Sequence, residues 1–127
     1  MAHLDVVCAV ALENGHVFLA KRKPGGPHGG LWEFPGGKVE TGETPEAALA
    51  REIQEELAVG IVLGDRLLPV TDGRIDLLPM RVSFQGTPVA LEAEAIGWYS
   101  LQAAEKLPMP PCDHRILIRL IQRENPV

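Results

Sequence analysis

The chain has 127 residues, of which 46% are hydrophobic and 23% are charged, and its formal net charge at pH 7 is −5. This length and composition predict one globular domain, 1–127, and exclude an intrinsically disordered chain. The acidic balance argues against a nucleic-acid-binding protein, which needs a basic patch. An acidic protein that handles a polyphosphate needs another source of positive charge, and a bound cation is the obvious one.

The sequence shows neither a membrane segment nor a disulfide framework. No apolar stretch approaches the ~20 residues that a bilayer-spanning helix needs, and no early basic region leads into an apolar run. Cys8 and Cys112 are interpreted as small apolar residues in a reducing compartment. We therefore expect a cytoplasmic protein with no membrane partner.

The first elements along the chain are strands. Apolar runs at 4–12 and 17–20 flank the pair Asn14-Gly15, and such a pair between two apolar runs predicts a β-hairpin. The proline- and glycine-rich stretch 23–30 can form neither helix nor strand and predicts an exposed loop.

A helix is predicted from Thr44 onwards. Thr44 suits the N-cap, Pro45 the first helical position and Glu46 the positive end of the helix dipole, and helix-forming residues continue to Leu57. We then expect strands at 61–70 and 80–84 around a turn at Asp72-Gly73, a short strand at 97–99, a helical turn at 100–105 and a helix at 113–123. Strands and helices without regular alternation predict an α+β fold.

Three glutamates share one face of this helix. At about 100° per residue, Glu52, Glu55 and Glu56 lie near relative angles of about 0°, 300° and 40°. An apolar stripe that would anchor the helix lies beside them and consists of Leu49, Ile53 and Leu57. Converging carboxylates repel one another, and a hard cation with oxygen ligands would compensate. The alternative is a solvated acidic face with Arg51 in an ion pair.

The residues around the glutamates form a longer pattern, GKVETGE at 37–43 and REIQEELAV at 51–59. This pattern resembles the Nudix box, which requires a glycine, five residues, a glutamate, seven residues, Arg-Glu, an aliphatic residue, any residue, Glu-Glu, any residue, a glycine and an aliphatic residue. Only Ala58 departs from it, replacing a glycine at the helix end, and we expect Gly60 to provide the left-handed cap instead. Outside the box, 31–40, the spacing from Arg22 to Glu33, and 110–113 resemble the MutT-like branch, which hydrolyses 8-oxo-dGTP or other nucleoside triphosphates.

The resemblance implies a fold and a metal site. The fold is the Nudix fold, a mixed β-sheet packed between helices as an α/β/α sandwich. The metal is Mg²⁺ or Mn²⁺, held by Glu52, Glu55, Glu56 and the carbonyl of Gly36. Glu43 and Arg51 would form a supporting pair that orients the helix.

The reaction implied is attack of water on a phosphorus of a nucleoside triphosphate, releasing the monophosphate and pyrophosphate, and it includes sanitation of oxidised nucleotides such as 8-oxo-dGTP. The metal would neutralise phosphate oxygens and lower the pKa of the attacking water. Glu52 is the favoured general base, with Glu55 or Glu92 as alternatives. Glu92 is equally well interpreted as a solvated loop acid, because Glu94 stands close by and could substitute for it.

Further residues are candidates for substrate binding. Arg22 and Lys38 could contact phosphates, and Phe34 could line the base pocket or belong only to the core. Asp113 could bind the base edge, act as a helix N-cap, or do both. The single histidines His28 and His114 are interpreted as surface residues.

Other functions remain open at this level. The substrate could be a pyrimidine triphosphate of the CTP type, a dinucleotide polyphosphate or a nucleotide sugar. A non-catalytic nucleotide-sensing module is the alternative of a different class, although the box retains Glu52, Glu55 and Glu56. In each case the partner is a small nucleotide, with no nucleic acid, and the protein is a monomer or a homodimer.

Overall fold

The computed structural model describes residues 3–124. Its elements in chain order are β1 (Leu4–Val10), β2 (Leu12–Glu13), β3 (His16–Lys21), β4 (Trp32–Glu33), β5 (Gly36–Lys38), α1 (Pro45–Leu57), β6 (Gly60–Arg66), β7 (Val70–Asp72), β8 (Ile75–Gln85), β9 (Ala95–Ser100), α2 (Leu101–Glu105) and α3 (Pro111–Glu124). No helix in this part of the chain is long and apolar enough to span a bilayer.

The strands form two sheets. The first has the order β5-β1-β8-β6, with β7 also paired to β8. In it β1 and β8 run parallel while the other pairs are antiparallel, so this is the mixed sheet that was expected. A second, antiparallel sheet joins β2, β3 and β4, with β9 paired to β3.

Two cores lie on opposite faces of β1, and they confirm the predicted sandwich. Cys8 and Val10 pack with buried residues of α2 and α3. Val7 and Ala9, which alternate with them along the strand, pack with buried residues of α1. Because successive side chains of a strand point to opposite faces, one strand supplies both helical layers.

The local predictions in the first half of the chain are confirmed, except for one cap. Asn14 and Gly15 have φ of 52° and 74° and form the hairpin turn. Thr44 caps α1 by accepting a hydrogen bond from the N–H of Ala47 at 3.1 Å. The left-handed residue at the end of α1 is Ala58 itself, with φ 53° and ψ 39°. The prediction that Gly60 takes this role is wrong, because the cap directly follows the last helical residue and Gly60 already begins β6.

In the second half, the strand predicted at 61–70 is divided into β6 and β7, and β8 is longer than expected. The short strand and the helical turn are confirmed as β9 and α2, and Ser100 caps α2. The terminal helix begins at Pro111, so Asp113 lies inside its first turn. The N-cap prediction for Asp113 is therefore wrong, and its carboxylate accepts the N–H of Phe34 instead.

Candidate active site

A cavity of about 540 Å³ lies beside α1 and extends to the start of α3. Eight of the predicted site residues line it: Arg22, Phe34, Gly36, Lys38, Glu52, Glu56, Glu92 and Asp113. Glu55 and the pair Glu43 and Arg51 stand outside this lining. The volume lies within the range of about 300–1,000 Å³ that is usual for small-molecule sites.

Arg51, in the middle of α1, joins the helix to the preceding loop. Its Nε and Nη2 donate to the two carboxylate oxygens of Glu43 at 2.7 and 2.9 Å, and Nη2 also donates to the carbonyl of Lys38 at 3.1 Å. These bonds from Arg51, with the backbone N–H of Glu40, lower the pKa of Glu43 to about 2. The pair of Glu43 and Arg51 that the resemblance implies is thus a bidentate ion pair, which holds the helix and the loop in one arrangement.

The same guanidinium reaches two of the three helical glutamates. Nη1 of Arg51 donates to Glu52 at 2.8 Å and lies 3.5 Å from Glu55. The side chain of Glu55 is 54% exposed, so it faces solvent in this arrangement. Among residues 3–124, no three acidic, histidine or cysteine side chains are already arranged as a set of metal ligands.

Glu56 has a carboxylate oxygen that no hydrogen-bond donor satisfies. Its Oε2 is buried and has no hydrogen-bond partner. Burial, together with the nearby charges of Glu52, Glu33 and Glu92, raises the pKa of Glu56 to about 9. We call these four residues, Glu33, Glu52, Glu56 and Glu92, the carboxylate end of the cavity. The carboxyl groups of Glu33, Glu52 and Glu92 thus lie close to the carboxyl group of Glu56.

Glu92, and not Glu94, faces this end. Glu92 lines the cavity, whereas the carboxylate of Glu94 lies 3.7 Å from Lys21 in an ion pair outside the lining. Arg22 lies 3.7 Å from Glu33, which places one basic group at the same end. Burial raises the pKa of Glu33, and the charge of Arg22 opposes that rise.

Another part of the cavity lining, which we call the hairpin end, is formed by Asp72, Ile75, Leu77, Cys112 and Asp113. Asp113 is 8% exposed, and its Oδ2 accepts the N–H of Phe34 at 3.0 Å. Burial raises the pKa of Asp113 to about 7 even though this bond lowers it. Phe34 is also buried, so these two residues form a fixed wall where the cavity meets the core.

Comparison with known proteins agrees with this geometry. Residues 1–120 match the model of the family described as the NUDIX domain. The chain is 36% identical to the CTP pyrophosphohydrolase of Escherichia coli over 92% of this chain and 90% of that protein. It is 33% identical to the 8-oxo-dGTP diphosphatase of the same organism, over 85% and 88%. The chain belongs to the Nudix family.

A solved structure agrees at the level of the fold. MutT, studied in the bacteria Aliivibrio salmonicida and Vibrio cholerae, matches with a TM-score of 0.81 and 28% identity, covering 95% of this chain and 98% of that one. This Nudix protein is an enzyme of the pyrophosphohydrolase class, and its MutT-like character is shown by sequence and fold alike. Nudix hydrolases use a divalent metal and act on small nucleotides.

The residues present fit such a metal. The buried, unpartnered Oε2 of Glu56 is a hard oxygen donor facing acids that repel it, and a divalent cation would remove both penalties. Gly37 allows the close approach of the strand to the helix, because a Cβ there would overlap the Glu52 carboxylate. In this arrangement Arg51 forms ion pairs with both Glu52 and Glu55.

Glu33, His28 and Asp72 are among the lining residues of this Nudix site that were not predicted as site residues. Glu33 joins the carboxylate end from β4, and alternation with the buried Trp32 could have indicated its outward direction. His28, interpreted as a surface residue, is exposed but stands at the edge of the cavity. Asp72 reaches the hairpin end only through the pairing of β7 with β8, for which the local sequence gave no signal beyond a turn.

Proposed function

We propose that this Nudix hydrolase cleaves a nucleoside triphosphate to a nucleoside monophosphate and pyrophosphate. The observation that carries the proposal is the buried, unpartnered Oε2 of Glu56, a residue that lines a cavity large enough for a nucleotide. Two relatives that align over most of their length are a CTP pyrophosphohydrolase and an 8-oxo-dGTP diphosphatase. Both names describe triphosphate substrates, which supports this substrate class.

The metal proposed is Mg²⁺, with Glu52, Glu55, Glu56 and the Gly36 carbonyl as the residues that would hold it. A divalent ion bound there neutralises phosphate oxygens and lowers the pKa of the attacking water. Oxygen donors of this kind suit Mg²⁺ and Mn²⁺ better than softer metals. Glu55 would have to leave its solvent-facing position near Arg51 to join the set.

The proton of the attacking water needs an acceptor within hydrogen-bonding reach. We favour Glu52, which lines the cavity and stands beside the tightly packed Gly37. Glu92 is an alternative because it also lines the cavity. Glu55 is the third candidate, and its position outside the lining makes it the weakest of the three.

The remaining residues divide between the two ends of the cavity. Lys38 and Arg22 bring positive charge to the carboxylate end and are proposed to bind phosphates. Phe34 and Asp113 form the fixed wall where the cavity meets the core and are proposed to contact the base. The pair Glu43 and Arg51 is proposed to position α1 without touching the substrate.

The setting proposed is one domain, 1–127, acting in the cytoplasm as a monomer or homodimer and independently of nucleic acid. Cys8 and Cys112 are both free thiols, which suits a reducing compartment. The acidic net charge of −5 supports a small nucleotide, and not a nucleic acid, as the partner.

The decisive experiment is a release assay with Mg²⁺ across the ordinary and 8-oxo nucleoside triphosphates, measuring pyrophosphate and monophosphate separately. The expected result is equal release of both products from CTP, dCTP or 8-oxo-dGTP. Release of orthophosphate in place of pyrophosphate, or no turnover of any triphosphate, would contradict the proposal.

The variant Glu55→Gln tests the metal assignment. We expect it to lose turnover while keeping its fold, because the amide is a weaker ligand for a hard cation and Glu55 is solvent-facing in the structure. Glu105→Gln, an exposed glutamate at the end of α2, is the matched control. Full activity of Glu55→Gln would remove Glu55 from the ligand set.

A further inference from the structure

We propose that Asp72 is a specificity-determining residue whose carboxylate accepts a hydrogen bond from the exocyclic amine of the base and so favours cytosine over uracil. This inference rests on the proposed triphosphate hydrolysis and specifies the substrate of the same cavity. Asp72 belongs to β7, outside the Nudix box and outside the residues that the box positions.

The sheet register places Asp72 away from the carboxylate end. Lys38 pairs with Val6, Val6 pairs with Leu77, and Leu77 pairs with Val70, so four strands stand side by side. At about 4.8 Å per strand, β7 lies about 14 Å across the sheet from Lys38. A substrate with its phosphates among the glutamates therefore extends its base toward Asp72.

The polar groups of the hairpin end are mostly hydrogen-bond acceptors. Asp72, Cys112 and Asp113 line it together with apolar Ile75 and Leu77. Within the described part of the chain, the basic side chains that line the cavity are those of β5 and the loop between β3 and β4, namely Lys38, Arg22 and His28. A base edge that presents a donor thus fits this end better than one that presents a carbonyl oxygen.

Asp72 discriminates between bases better than Asp113 does. One oxygen of Asp113 is occupied by the N–H of Phe34, and the raised pKa of Asp113 lets its carboxyl hold a proton near neutral pH. A carboxyl that can donate as well as accept tolerates either base edge. Asp72 is exposed at the cavity edge. It lies close to Cys112: burial raises the pKa of that thiol, and the charge of Asp72 raises it further. Its carboxylate only accepts, so it attracts the N4 amine of cytosine and repels the O4 of uracil.

The test compares kcat/KM for CTP and UTP in the wild type and in Asp72→Asn. The wild type is expected to prefer CTP. In Asp72→Asn the ratio of CTP to UTP should fall about tenfold, chiefly because an amide can donate to O4 and admits UTP. Asp65→Asn, an exposed aspartate on β6 outside the cavity lining, is the matched control and should keep the ratio.

A second variant separates the two causes of selectivity. Asp72→Ala removes the hydrogen-bond acceptor without adding a donor. Its ratio of kcat/KM for CTP to that for UTP should therefore fall because CTP is hydrolysed less efficiently, while UTP hydrolysis changes little. A wild type that prefers UTP, or an unchanged ratio in both active variants, would overturn the role of Asp72. Failure of the wild type to hydrolyse any triphosphate would instead overturn the proposed function itself.

Discussion

The two ends of the cavity are built by different means. At the carboxylate end, Glu52 and Glu56 project from one helix, α1. The ion pair of Arg51 with Glu43 holds this helix against the preceding loop. At the hairpin end, Asp72 and Asp113 come from a strand and a helix that are far apart in sequence. The first end therefore depends on helical periodicity, whereas the second depends on how distant elements pack.

This difference has a chemical consequence. At the carboxylate end, the buried Oε2 of Glu56 has no hydrogen-bond partner, and three other acids lie near it. The hairpin end satisfies its buried acid internally, through the N–H of Phe34. The carboxylate end, which is encoded locally, thus carries the chemistry common to the Nudix family. The proposed choice of base belongs to the hairpin end, where Asp72 and Cys112 can change without disturbing α1.

The largest effect should come from breaking the carboxylate end at Glu56. Glu56→Gln is expected to lower kcat more than about 100-fold, since the loss of a direct metal ligand should exceed the 10- to 100-fold effects of supporting residues. Without a metal, the variant should be no less stable than the wild type at pH 8. The reason is that the raised pKa of about 9 makes ionisation of Glu56 costly in the fold.

The measurement pairs pyrophosphate release with urea unfolding in the presence of a chelator, and Glu105→Gln is the matched control. A glutamine variant that is clearly less stable than the wild type at pH 8 would show that Glu56 has a partner in the folded protein. A variant that retains wild-type turnover would show that Glu56 is no ligand.

An intermediate effect should come from the hairpin end, at Asp113. Its pKa of about 7 in the fold exceeds the ordinary value of 3.8, so the folded protein retains a proton that the unfolded chain releases between these pH values. The wild type should therefore lose stability as pH rises from about 4 to 7, by an amount on the order of a few kcal/mol. Asp113→Asn keeps the bond from the N–H of Phe34 and should remove this slope.

Urea unfolding at pH 5 and pH 8 checks this prediction, with Asp65→Asn as an exposed aspartate control. The stability gained by Asp113→Asn over the wild type should be larger at pH 8 than at pH 5. Parallel pH profiles for the wild type and Asp113→Asn would rule out a raised pKa in the folded protein.

The smallest effect should come from the end of α1. Ala58 adopts φ 53° and ψ 39°, a left-handed conformation that costs a residue with a Cβ about 1–2 kcal/mol. Ala58→Gly should therefore increase stability by about 1 kcal/mol without changing activity. Ala50→Gly, at an exposed position within the same helix, should decrease stability by about 1 kcal/mol. If urea unfolding showed that both variants change the stability in the same direction, the left-handed cap at Ala58 would be contradicted.

Sequence reasoning was most successful where the chain determines its own geometry. The cap at Thr44, the turn at Asn14-Gly15 and the shared face of Glu52 and Glu56 all follow from neighbours within a few residues. The replaced glycine also belongs here, although the prediction transferred its role to Gly60 and overlooked that Ala58 bears the strain itself.

Tertiary features could not be derived in the same way. Glu33 approaches Glu56 because β4 pairs with β3, and Asp72 reaches the cavity because β7 pairs with β8 and packs near α3. The same limit explains Asp113, whose bond with Phe34 joins residues 79 positions apart. From the sequence alone, an aspartate in the first turn of a helix looks like an N-cap, because the distant group that it binds is not known.

The two-sided burial of β1 also sets an order of assembly. Its parallel partner β8 pairs Leu4 with Ile75, so the central pairing of the first sheet waits until most of the chain has left the ribosome. Until then β1 has the short β5 as its partner, and both apolar faces of the strand lack their final cover. Early in synthesis this strand is therefore prone to aggregation, which makes it a segment that chaperones would protect.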